Sequence, residues 1–291
     1  MDILIQRHRV STRVKSGCVR SVGFLGCAVL IAGPLFGQTP KEIVQQAVQT
    51  EIAASRNDHS LWRYRQEEKV PAYTVSIVVE TSHGSIKQKV EQDGHPLAPE
   101  QTVAEMKRIQ SFIHDAGQQQ KQKRDGEHDD ESAAKLLQIL PEAFTWRVAS
   151  QTPEVIILKF EPDPGFHPPD MESHVMSTMG GQLIVDRVQH RIRSIRGTLS
   201  QDVNIGYGLL GKLRQGGTFD VERRELTPGL WQIVETHVHI DGRALLFKTI
   251  GQQQDEVNSG FTRVPDSTTL EQAVALLSDH KDRACSSCMI H

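Results

Sequence analysis

Glu235, His237 and His239 alternate along one stretch of this chain, and two imidazoles beside a carboxylate are the residue types that ligate a divalent cation or relay a proton. On a strand, that spacing puts all three on one face. A closed metal site also needs ligands from a second element, and no neighbouring segment supplies an evident one, so the expectation is a solvent-facing pair of histidines. His167 and His174, which flank 168–173, read in the same way as loop residues. Gly206-Tyr-Gly-Leu-Leu-Gly211-Lys212 has the glycine and lysine spacing of a phosphate-binding loop, but Leu213 stands where a magnesium-holding hydroxyl belongs. Nucleotide binding is therefore not expected, and the glycines read as hinges between strands. Cys285-Ser-Ser-Cys288 leaves three readings open. A short-range disulfide comes first, then half of a metal site with His280 or His291, then a redox pair, which would need its first cysteine at a helix N-terminus. The chain carries no serine nucleophile elbow and no HExxH pattern. The expectation is a non-catalytic protein with no catalytic residue, metal or cofactor. An envelope enzyme, with a catalytic pair assembled only by folding, is the third alternative.

The N-terminal segment bears on which ligands are within reach. Arg7, Arg9, Arg13, Lys15 and Arg20 precede an apolar run, Val22 to Leu35, that contains Gly23, Gly26, Gly33 and Pro34. This is the layout of a secretory signal peptide over 1–37, cleaved near Gly37, and the run is shorter than the roughly 20 residues that span a bilayer. Phe24-Leu25-Gly26-Cys27 resembles a lipobox, the competing reading, although almost no apolar segment precedes its cysteine. The address expected is periplasmic or secreted, where nucleotides and nucleic acids are scarce. Removing 1–37 would take five Lys or Arg and one Asp from a chain of formal net charge −3, leaving −7. That balance also argues against a phosphate-tracking surface. Aromatic residues make up only 5% of the chain, too few for a carbohydrate platform of stacked rings.

The elements that must position any site follow from periodicity. Ile43, Val44, Ala47, Val48, Ile52 and Ala53 recur at helical steps after Thr39 and Pro40, predicting an amphipathic helix over 40–56. Strands are expected over 61–67, 72–80 and 85–92, a helix over 99–116, and a short helix over 133–140 that ends before Pro141. The intervening 117–132 is almost wholly polar, basic and then acidic, and reads as a solvated helix extension or a loop. From Phe144 onward, strands are expected over 144–150, 155–161, 181–186, 191–199, 218–226, 230–240 and 244–250, and a last helix over 270–277. Short turns such as Thr227-Pro228-Gly229 favour antiparallel up-and-down pairing. About ten strands must curl. The fold class expected is α+β: a curved antiparallel sheet forming an unclosed half-barrel, capped by helices. It would occupy 38–280 as a single domain with a helical insert around 99–140, followed by a tail over 281–291 with the Cys-x-x-Cys pair.

The run Gly180-Gly-Gln-Leu-Ile-Val-Asp186, a short turn, Arg191-Ile-Arg-Ser-Ile-Arg196-Gly, and then Trp231 with its long strand resembles the hairpin cadence of the periplasmic lipoprotein-carrier superfamily. That superfamily includes the Lol-type carriers and lipoprotein-sorting-like relatives, and the resemblance covers residues 144–250. It implies an unclosed barrel with helices over its hollow, and an apolar cavity that holds acyl chains. Candidate cavity residues are Trp146, Ile156, Leu158, Phe160, Leu183, Val185, Phe219 and Phe247, whose other reading is ordinary packed core. The expected partner is a lipid or a lipidated protein, with a cell-envelope structural or interaction module as the alternative.

Overall fold

The computed structural model describes residues 38–205, 211–244 and 249–278. The leader, the C-terminal tail with Cys285 and Cys288, Phe247 and most of the glycine loop lie outside the described residues. The chain opens with α1 (Pro40–Asn57), started by a capping box in which Glu42 N–H donates to Thr39 Oγ1 and Thr39 N–H donates to Glu42 Oε2. Its buried stripe is Ile43, Val44, Ala47, Val48 and Glu51, so the face chosen by apolar spacing also carries one carboxylate inward.

An antiparallel run follows: β1 (Leu61–Glu68), β2 (Thr74–Thr81), β3 (Gly84–Gln92) and the short β4 (His95–Pro96). Two helices then intervene, α2 (Pro99–Ile113) and α3 (Ala116–Ala143). The polar segment 117–132 and the expected short helix are thus one 28-residue helix. Asp115 caps it, accepting from Gln118 N–H at 3.0 Å, and Lys121–Asp125 and Lys123–Glu127 pair at i,i+4 along its wet face. Pro141 lies in the last helical turn rather than ending the helix at 140.

The second run is β5 (Phe144–Gln151), β6 (Val155–Pro162), α4 (Met171–Ser177), β7 (Met179–Asp186), β8 (Ile192–Leu199), β9 (Val203–Ile205), β10 (Gly211–Leu213), β11 (Thr218–Thr227), β12 (Leu230–Ala244), β13 (Thr249–Val264) and α5 (Leu270–Ser278). The fold is α+β, with an unclosed antiparallel sheet of 13 strands rather than about ten: eleven in the order β4-β3-β2-β1-β13-β12-β11-β8-β7-β6-β5, and off this path β10, which pairs with β12 and with β9. The strand expected over 244–250 is divided: β12 runs on to Ala244, and a 16-residue strand covers Thr249–Val264. α4 arises where a loop was expected, capped by Asp170, and it places His174 on a helix.

Chain order and sheet order diverge between β4 and β5, between β8 and β11, and at β13. β4 and β5 are the two edges of the sheet, so α2 and α3 carry the chain across from one edge to the other. The last strand, β13, then closes the centre by pairing with β1 and β12. Two cores result. In β6 the buried residues Ile156, Leu158 and Phe160 alternate with Lys159 and Glu161, and with Leu183 and Val185 of β7 they pack beneath α1 and the end of α3. On the other half, Ile77 and Val79 of β2 pack against Ile109 of α2 and Leu270, Ala273 and Leu277 of α5. β2 is buried on both faces, because its second face turns toward the interior.

Candidate ligand cavity

Between α1, α3 and the inner face of the central strands lies a cavity of about 620 Å³. This is within the range of small-molecule sites, roughly 300–1,000 Å³. α1 contributes Glu51 and Ser55, and α3 contributes Ala133, Ala134 and Leu137. Ile192, Ile195, Val221, Trp231, Ile233 and Thr236 come from β8, β11 and β12. The opposite wall is Tyr64 of β1, Glu80 of β2, and Gln254, Glu256, Asn258 and Phe261 of β13. The cavity is therefore apolar along one side and polar and aromatic along the other.

Glu51 anchors the apolar side electrostatically. Arg191, just before β8, grips it with Nε–Oε1 at 2.9 Å and Nη2–Oε2 at 3.0 Å, Arg223 of β11 also pairs with it, and Ile192 N–H donates to it at 2.7 Å. Burial alone would raise the Glu51 carboxyl, but the charge of Arg223 and the hydrogen bonds and charge of Arg191 outweigh it and hold the group below the usual carboxylate range. The Arg191 guanidinium also lies over the Trp231 ring, 5.8 Å from its centroid.

The β1–β13 wall is built differently. Tyr64 and Phe261 stack with ring centroids 5.0 Å apart and planes at 25°. Burial pushes the Tyr64 phenol well above its ordinary value, and Glu80, Glu256 and Glu68 add to the effect, so the hydroxyl stays protonated. Asn258 Nδ2 donates to Glu256 Oε1 at 2.7 Å. Across the ladder, Gln66 faces Asn258. Gln66 is fully buried, and neither its amide oxygen nor its amide nitrogen has a hydrogen-bond partner; Asn258 Oδ1 also lacks one.

None of the seven described candidate cavity residues lines this space. Ile156, Leu158, Phe160, Leu183 and Val185 are packed core, and Trp146 and Phe219 pack against that core. Phe144, Trp146 and Phe160 form a ring cluster there, with centroids 4.6–5.8 Å apart. Phe160 and Phe219 also border an open depression around Gly180, Gly181 and Gly197, whose other lining includes Lys159, Arg196 and His237. The residues that do line the cavity were not singled out by sequence. The signal available was the motif that resembles the lipoprotein carriers, which contains Ile192, Ile195 and Trp231.

His237 and His239 lie side by side on the face of β12 opposite Thr236 and Val238, and both ring systems approach Asp255 Oδ1, at 2.7 and 3.0 Å. Glu235 Oε2 is 3.5 Å from His237 Nε2. Among the described residues, no group of three or more His, Cys, Asp or Glu side chains is arranged to hold a metal ion. Lys212 is in β10 and pairs with Asp202 at 2.6 Å. Comparison with protein-family models, with curated proteins and with solved structures returned no match.

Proposed function

We propose that the chain is an extracytoplasmic, non-catalytic binding protein that carries or senses a lipid or a lipoprotein acyl chain. The observation that supports this most is the hollow of about 620 Å³ held between α1, α3 and the inner face of an open sheet. A tight apolar core needs no such space, because protein interiors otherwise pack with few voids larger than a water molecule. Leu137, Ile195, Val221 and Ile233 offer a hydrocarbon chain dispersion contacts and relief from water. Of the two helices over the hollow, α1 is fastened to the sheet by Glu51, whereas α3 belongs to the connection between the two edges of the sheet, so it can shift as a cover without breaking the ladder. The leader expected over 1–37 and the resemblance of the β7–β8 hairpin to lipoprotein carriers favour the same reading.

Native mass spectrometry of the purified chain, followed by solvent extraction, tests it. An acyl species bound at one per chain is the expected result. A bare mass, together with no uptake of added lipid, would overturn carriage. The second reading, an envelope interaction module, is favoured by the densely packed β5–β8 half, and that bare mass would be its expected result.

A further inference from the structure

The charge on the β1–β13 wall is unusual for a site that takes an ordinary fatty acid. Glu256 of β13 is only 8% exposed, and its partners are two neutral amides: Asn258 Nδ2 at 2.7 Å and Gln254 Nε2 at 3.4 Å. No cation stands at salt-bridge distance from it among the described residues. Its neighbours are served otherwise: Glu68, opposite it on β1, pairs with Lys87, and Glu51 across the cavity has two arginines. A buried carboxylate with no counter-charge is costly to keep ionised, and in folded proteins such a group is normally paired.

A second observation points the same way. Asn258, 9% exposed and lining the cavity, has an Oδ1 with no partner, and Gln66 opposite it, 1% exposed, leaves its own amide oxygen unpartnered. Native buried polar atoms are nearly always bonded, so such gaps call for an explanation. Beside them the stacked Tyr64 and Phe261 rings line the cavity, and the faces of such rings carry the negative end of a quadrupole. Over the whole lining, six carboxylates stand against two side-chain cations, Lys123 and Arg223.

We infer that the cavity selects a cationic amphiphile, whose ammonium or guanidinium head sits between Glu256, Asn258 Oδ1 and the Tyr64–Phe261 rings while its hydrocarbon lies against Leu137, Ile195, Val221 and Ile233. This rests on the carriage reading and narrows it to a ligand class. The carboxylate supplies the counter-charge, the Asn258 amide oxygen accepts from the head group's N–H or polarised C–H, and the rings add cation–π attraction. An anionic head would meet Glu256 at close range.

Trp231 lines the cavity, so its fluorescence, checked by calorimetry, can follow titration of the purified chain with dodecyltrimethylammonium or dodecanoate below their micellar concentrations. The two probes share a hydrocarbon length and differ in the sign of the head. The expected result is cation binding at least about tenfold tighter, with Glu256→Gln removing most of that preference by weakening the cation and relieving the repulsion of dodecanoate. Glu235→Gln, a charge removed from the opposite face, should change neither. Equal or tighter binding of dodecanoate overturns the cationic assignment and leaves carriage standing. So does a preference that survives in a folded Glu256→Gln chain. Failure of both probes to bind overturns carriage and this inference together. The ranking of the two probes on the unaltered chain needs no variant, so it decides the matter even if Glu256→Gln does not fold.

Discussion

Glu51 of α1 and Arg191 at the threshold of β8 form a bidentate ion pair that is about 95% withdrawn from solvent on both sides and lies 140 residues apart in sequence. The pair fastens the first helix to the sheet at the rim of the cavity, and Arg223 shares the same carboxylate. Glu51→Gln would leave two guanidinium groups without their counter-charge, one of them fully buried. The expected loss is about 3–5 kcal/mol of unfolding free energy, measured by urea denaturation. The wild-type contribution should also depend on acid. Since the folded-state pKa of Glu51 is depressed, its stabilisation is complete above the unfolded value of about 4.5 and is lost as pH falls through the lower folded value. A Glu51→Gln chain should therefore lose less stability than wild type between neutral and strongly acid pH; equal acid sensitivity would refute the coupling.

Core and cavity can be separated by mutation. Leu183 is completely buried beneath α1, and Leu183→Ala should cost about 2–5 kcal/mol while leaving lipid uptake per folded chain unchanged. Val221 faces the hollow instead. Val221→Trp would extend into space that is already empty, so its stability cost should stay near or below about 1 kcal/mol while uptake of a dodecyl chain falls sharply. Paired melting curves and binding isotherms check both, and a reversal of the two phenotypes would place the ligand in the β5–β8 core.

His237, His239 and Asp255 make a titratable cluster on the opposite face of the sheet. The hydrogen bond to Asp255 is the main cause that raises the His237 pKa; burial works against it, and Glu235 adds to the rise. For Asp255, burial would raise the carboxyl, but the bonds from His237 and His239 and their charges hold it low. The sign follows for each group. His237 contributes stability below about 6.5 that fades as pH rises through its raised value, and Asp255 contributes stability above about 3.8 that fades as pH falls through its lowered value. The cluster is thus most useful in mildly acidic solution. Imidazole NMR titration should show the His237 pKa dropping toward its ordinary value in Asp255→Asn; an unchanged value would show that the contact does not set the pKa.

The strands that sequence revealed are those that bury one face in a hydrocarbon core. In β6 an apolar run, Val155 to Leu158, passes into Leu158 and Phe160 alternating with Lys159 and Glu161, and that period of two is the footprint of a half-buried strand. β13 left no such footprint beyond residue 250. Gln254, Glu256 and Asn258 line the cavity while Gln253 and Asp255 lie on the other face, so both faces are polar although the strand lies at the middle of the sheet. The same physics misdirected the search for the site. Strongly apolar residues such as Leu158 and Phe160 gravitate to packed core, whereas the cavity wall mixes rings, amides and carboxylates drawn from seven strands and two helices. α3 was only partly legible because its apolar residues are confined to its C-terminal end, and its polar stretch is held helical by its cap, its i,i+4 pairs and its helix-forming composition.

Gly180 and Gly181, adjacent in the motif that resembles the lipoprotein carriers, should respond oppositely to the same added methyl group. A Cβ on Gly181 would lie 1.9 Å from the carbonyl oxygen of Arg196 and 2.9 Å from Gly197 Cα, both backbone atoms of the paired strand β8. Neither can step aside without parting the ladder. A Cβ on Gly180 meets only the Phe160 carbonyl oxygen, at an ordinary 3.6 Å. Gly181→Ala should therefore destabilise the chain by about 1–3 kcal/mol or more through forced strand displacement. Gly180→Ala should stay near neutral or add a few tenths of a kcal/mol by restricting the unfolded chain. Urea denaturation of the two variants side by side distinguishes close strand packing from a general intolerance of this hairpin: comparable losses at both positions would show that the approach of β7 to β8 is not what fixes glycine at 181.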